Sequence, residues 1–142
     1  MLQFLFDRLL QSNLFVAVEI SESLEEISGR ATAAEDGTVF VVPWREGGHP
    51  NRNATGVHRQ LVEMQFVTAL LIRMHDDPRG AGRAKRFDTF KGQTEAVLTG
   101  WTPAPESRPF ALVGAQATGL GNGVSIYAQT WQTTRFLTGA IP

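Results

Sequence analysis

A run of seventeen residues, His58–Met74, constrains the fold more strongly than any other part of the chain. Its apolar side chains recur with a period of two, at Val62, Met64, Phe66, Leu70 and Ile72. Successive side chains of a β-strand point to opposite faces of a sheet, so this spacing indicates a long strand with one covered face. Such a strand needs neighbouring strands for its backbone groups and a second layer over its apolar side.

The remaining elements follow from helical spacing, capping residues and turn residues. Residues 2–11 place apolar side chains at the i, i+3, i+4 spacing of one helix face. The pair Asn122-Gly123 suits a hairpin turn with positive φ at both central positions. We also predict a short strand over 15–20, a short helix capped by Ser21 or Ser23, a strand over 38–42, a helix over 81–98 and hairpin strands over 108–117 and 124–137.

This order of elements predicts one domain spanning residues 1–142, which is a common single-domain length. Strands that follow each other directly are most simply antiparallel. We therefore predict an α+β fold, with a single antiparallel or mixed sheet of about four strands and helices packed on one face.

The residues that commonly carry chemistry are sparse. The chain has no Cys, which excludes disulfides, thiolate metal sites and a Cys nucleophile. His58 and His75 flank the long strand, and on a straight strand they lie roughly 55 Å apart, too far to share a metal. The glycines of Gly119–Gly123 serve a hairpin rather than a nucleotide loop. We expect no catalytic residue, cofactor or metal, although a small binding module or an unrecognised hydrolase stays an alternative.

Charge is distributed unevenly along the chain, although the net charge is only -1. Residues 1–42 hold seven acids and two bases, whereas residues 43–142 hold seven acids and eleven bases. Two readings stay open: chance clustering on solvated faces, or two surfaces of opposite sign that meet between copies. No apolar run reaches the ~18 residues of a membrane span, so we expect no membrane partner.

The candidate contact residues come from three places: a long irregular segment, a basic cluster, and the extended segment over 101–109 that begins with Trp101. Residues 43–57 are rich in Gly, Pro and Asn without apolar periodicity, and long irregular loops of this kind are usually functional or disordered. A basic cluster opens the predicted helix over 81–98, where it opposes the helix dipole. The candidates are Trp44, Arg45, Glu46, His49, Asn51, Arg52, Arg79, Arg83, Lys85, Arg86 and Trp101.

The whole pattern resembles the tail terminator family of long-tailed bacteriophages. The resemblance runs from about Leu2 to Phe136 and depends on the order of several short motifs. These are the N-terminal helix, a strand ending in Phe40–Pro43, the strand segment Gln60–Val67, the turn Arg79-Gly80, Leu98–Pro103 after a helix, and a last strand with Tyr127, Trp131 and Arg135.

The resemblance implies a structural virion protein and no enzyme. It implies a homo-oligomeric ring, a hexamer, at the head-proximal end of the tail tube, made in the host cytoplasm and assembled into the virion. Its partners would be further copies, the tail tube protein and the head-tail connector or completion protein. DNA would pass through the ring without specific binding. Another head-tail joining or minor tail protein stays the alternative role.

Overall fold

The computed structural model describes residues 1–31, 33–51, 58–74 and 79–138. These residues form three helices and five strands. The elements are α1 (Leu2–Gln11), β1 (Ala17–Ile20), α2 (Leu24–Arg30), β2 (Thr38–Gly48), β3 (Arg59–Arg73), α3 (Ala81–Leu98), β4 (Ala111–Gly121) and β5 (Val124–Thr138).

The five strands form one mixed sheet in the order β1-β2-β3-β5-β4. The long strand predicted from the period-two pattern is β3, which pairs antiparallel with β2 on one side and with β5 on the other. All fifteen residues of β3 have a partner in β5, from Arg59 opposite Thr138 to Arg73 opposite Val124. The predicted α+β class is therefore confirmed, with five strands rather than about four.

The fifth strand is β1, which matches the short strand expected over 15–20 and pairs parallel with β2. Parallel neighbours cannot be joined by a tight turn, so the chain crosses a face of the sheet between them. Helix α2 is that crossover. Ser23 caps it, because its side chain accepts a hydrogen bond from the Glu26 backbone N–H at 3.1 Å.

The core has two parts, one on each face of the sheet. Helices α1 and α3 cover the face that carries the predicted period-two set of β3, together with Val39 and Val41 of β2. Helix α2 covers the opposite face, where Ile27 packs with Phe40 and Val42. The prediction that all helices lie on one face is thus wrong for α2. Strand β2 places apolar side chains on both faces of the sheet, so helices must cover both faces.

Strand β2 extends to Gly48, into the segment that the sequence indicated as a loop. This extension is possible because β3 is long: its backbone pairs with that of β2 as far as Val62, which lies opposite Gly48. Trp44 is an extra residue in the ladder: Pro43 pairs with Phe66, and the next pair joins Arg45 to Gln65. Pro lacks a backbone N–H, and a bulge beside it accommodates the missing ladder bond.

The predicted hairpin is present as β4 and β5. Asn122 and Gly123 both have positive φ, 53° and 74°, which the two-residue turn requires. Gly119 belongs to β4 rather than to the turn.

The sheet has two ends. The proximal end is where β2 begins and β3 ends, and the distal end is where β2 ends and β3 begins.

Candidate interaction surfaces

The distal end of the sheet carries most of the candidates from the Pro43–Val57 segment. Residues 43–51 are exposed, and Trp44, Arg45, Glu46 and His49 lie along or directly after the outer half of β2. Asn51 lies beside the start of β3, where its side-chain oxygen accepts a hydrogen bond from the Arg59 backbone N–H. Arg52 lies outside the described residues.

On the face covered by α1 and α3, the distal end carries a paired acid and base. Glu46 lies opposite Met64, and Arg135 lies opposite Val62, so both side chains are on this face. The Arg135 Nε donates to Glu46 Oε1 at 3.2 Å. Because both groups are about half exposed, the pair contributes little to the free energy of unfolding. Its two opposite charges cancel each other on this face.

On the face covered by α2, the distal end has an open cavity of about 400 Å³. We call it the distal cavity, and it is lined by His49, Pro50, Arg59, Leu61, Glu63, Arg108 and Phe136. The His49 Nε2 lies 3.1 Å from Glu63 Oε1, and the Arg59 guanidinium lies 4.1 Å from the centre of the Phe136 ring. The cavity therefore combines an aromatic floor with three basic side chains and one acid.

Trp44 is the most exposed of the three tryptophans. It is 46% exposed, and the Arg45 guanidinium lies 5.8 Å from its ring. The bulge turns Trp44 out of the alternating ladder, which explains why a large aromatic side chain stays on the surface. Trp101 has a different position: it is half-buried and its ring lies 5.0 Å from that of Phe110, a buried residue.

The basic candidates at the start of α3 lie at the proximal end, far from those of β2. Arg86 is bound within the chain, since its Nη1 lies 2.9 Å from both carboxylate oxygens of Asp36. Asp36 also accepts a hydrogen bond from the Arg73 backbone N–H at 2.8 Å, which joins the start of β2 to the end of β3. Arg79 and Lys85 are exposed. The structure thus divides the predicted site residues between two ends of the sheet.

Exposed acids surround helix α2. Arg30 binds Glu19 at 3.1 Å and Glu26 at 3.5 Å. Glu22 and Glu25 are exposed and have no ion-pair partner within the part of the chain that the structure describes. The acidic character that the sequence indicated for residues 1–42 is therefore concentrated on one helix and its flanks.

Strand β4 presents an exposed surface that no pattern in the sequence indicated as a contact. It forms an edge of the sheet, and ten of its eleven residues are exposed. Leu112 and Val113 are 46% and 53% exposed. The strand contains no charged residue and no Pro, the usual protections of an edge strand against pairing with another chain. This composition is visible in the sequence, but only the sheet order shows that the strand lies at an edge.

Among the described residues, no group of three His, Asp or Glu side chains is arranged to hold a metal ion. None of the helices in the described ranges is both long and apolar enough to cross a membrane.

Comparisons with known proteins give the fold and the family. No curated protein matches the sequence. A chain from a solved structure described as the virion of a native gene transfer agent particle has the same fold, with a TM-score of 0.59 and 13% sequence identity over 98% of this chain and 95% of that chain. The family model described as phage tail terminator protein matches residues 2–140. The chain therefore belongs to the phage tail terminator family and is a structural protein of the virion tail.

Proposed function

We propose that six copies of this chain form a closed ring that caps the head-proximal end of the tail tube. The ring ends addition of tube subunits and offers its other side to the head-tail connector or completion protein. DNA passes through its centre without sequence-specific contacts. The observation that carries this proposal is the family match over residues 2–140, almost the whole length of the chain.

The surfaces of the single chain support an assembled state. An eleven-residue edge strand without charges, as in β4, is a template for pairing with another chain. Trp44 and the distal cavity offer further contact area, and Trp and Arg are enriched in protein interfaces. A ring requires that one surface of a copy meets a different surface of the next, and this chain has several unlike exposed surfaces.

The decisive experiment measures tail length in particles made without this protein. If the ring ends tube polymerisation, tubes made in its absence will be overlong and will lack heads. Tails of normal length would exclude the terminator role. Labelling the protein in the virion separates this role from another head-tail joining or minor tail function, because a terminator occupies one position at the upper end of the tube.

The oligomeric state is tested on the purified protein. Mass photometry over a range of concentrations should give a species of six copies, and electron micrographs should show closed rings. An open filament or a dimer as the largest species would contradict the closed ring without affecting the family assignment.

A further inference from the structure

The distal cavity contains two arginines without an ion-pair partner in the part of the chain that the structure describes. Arg59 and Arg108 are exposed, and neither lies within 4.0 Å of a carboxylate there. Among the described lining residues the only acid is Glu63, which already contacts His49. Residues 52–57, which separate β2 from β3 in the sequence, include no Asp or Glu. The cavity is therefore suited to a carboxylate from outside the chain.

The complementary charges lie further along the same sheet face. The start of helix α2 lies over the middle of that face, because Leu24 lines a pocket with Trp44 and Val67. Glu22 and Glu25, at this start, have no cationic partner in the described ranges. The distal cavity opens on the same face, since Leu61 and Glu63 alternate in β3 with the side chains that α1 and α3 cover. The two sets of unpaired charges thus have opposite sign.

Distance prevents these charges from meeting within one copy. Leu61 lines the cavity and Val67 lies beside Leu24 at the start of α2, and six residues of strand separate them. At ~3.3 Å per residue this is roughly 20 Å along the strand. Salt at physiological ionic strength screens charges beyond about 8 Å, so the attraction is lost within the chain and is available only to a neighbour.

We propose that the distal cavity of one copy binds Glu22 and Glu25 of the next copy in the ring. The arginines Arg59 and Arg108 donate to these carboxylates, while Phe136 holds the Arg59 guanidinium in place by stacking. The contact joins two different surfaces, which is the kind of contact that generates a ring. This inference rests on the proposed ring and identifies the residues at one of its subunit contacts.

The test uses two charge-reversal variants of the full chain. One combines Arg59→Glu with Arg108→Glu, and the other combines Glu22→Lys with Glu25→Lys. Each variant alone places like charges at every contact, so the concentration for half-assembly should rise roughly tenfold or more in sedimentation velocity or mass photometry. An equimolar mixture should assemble like the wild type, because each reversed cavity then meets a reversed helix and each native cavity meets a native helix.

A matched control reverses charges elsewhere on the surface. Asp88→Lys with Glu95→Lys reverses two exposed acids of α3, changes the net charge as much as the Glu22 and Glu25 reversal does, and should leave assembly unchanged. Circular dichroism melting of all variants checks that they are folded. Wild-type assembly of both reversed variants would overturn the contact, and so would a mixture of folded variants that fails to assemble.

The contact and the proposed function fail in different ways. Overlong tails in the absence of the protein, together with assembly that is insensitive to the reversals, would leave the terminator role intact and remove the contact. Tails of normal length would remove the terminator role. If the wild-type chain does not assemble alone, tail length in cells that express the variants singly and together replaces sedimentation, and only co-expression should restore normal tails.

Discussion

A buried hydrogen-bond network beneath α3 gives the sharpest prediction for stability. The Thr68 hydroxyl accepts a hydrogen bond from the Trp131 indole N–H at 3.1 Å. The Gln129 Oε1 lies 3.3 Å from the Thr68 hydroxyl and 2.6 Å from that of Thr94. All four side chains are at most 1% exposed, so no water replaces a lost partner. The network joins β3, β5 and α3 through polar groups that would be costly to leave unpaired.

The change to make is Thr68→Val, which keeps the shape of the side chain and removes the hydroxyl. The Trp131 N–H then has no acceptor in a buried position, and an unsatisfied buried group costs about 1–3 kcal/mol. We expect the free energy of unfolding to fall by about 2 kcal/mol and the melting temperature by roughly 4–10 °C. Thr89→Val is the matched control, since Thr89 is exposed, and should change the free energy by at most about 0.5 kcal/mol.

Urea unfolding followed by circular dichroism measures both variants, at one protein concentration because assembly makes the apparent stability concentration-dependent. A double-mutant cycle with Trp131→Phe isolates the hydrogen bond from the loss of aromatic packing, and its coupling energy should be about 1–2 kcal/mol. Equal stability of Thr68→Val and Thr89→Val, or a coupling energy of zero, would refute the reasoning.

Substitutions at three further sites test local features by urea unfolding. Ser23→Ala removes the cap of α2 and should cost about 1 kcal/mol, whereas Ser23→Asp should keep most of it; equal losses would exclude a capping role. Gly123→Ala places a side chain at φ 74° and should cost about 1 kcal/mol, and an unchanged midpoint would contradict the strained turn. Arg86→Gln removes a salt bridge to Asp36, whose carboxylate is 43% exposed, and leaves the hydrogen bond from Arg73 to Asp36 in place. After discounting for solvent screening we expect a loss of at most about 1 kcal/mol, smaller in high salt; a loss independent of salt would argue against an electrostatic origin.

The elements that the sequence predicted well depend on local patterns. Helix α1 matches the predicted residues 2–11, and β3 matches the period-two run within one residue at each end. Gly100, a residue type favoured just after a helix end, follows α3 and has a left-handed φ of 76°. Each of these depends on contacts or conformations within a few residues, and neighbours in the sequence are enough to determine them.

The errors occurred where a distant strand decides the structure. Residues 43–48 have no strand pattern of their own, yet they pair with β3 because its long edge is available there. The face that α2 covers depends on the parallel pairing of β1 with β2. Arg86 looked like a partner for another copy, but the fold brings Asp36 within 2.9 Å of it.

For the contact residues, the sequence by itself determined the kinds of side chain and the uneven charge, while only the tertiary structure determined which charges remain available. Arg59, Arg108, Glu22 and Glu25 are not distinguished by any motif. They stand out because the sheet places the arginines and the acids roughly 20 Å apart along one face, each without an ion-pair partner in the described residues. Ion pairing depends on the distance between charges in the folded structure. The sequence shows how many acids and bases the chain has, but not which of them lie close enough to pair.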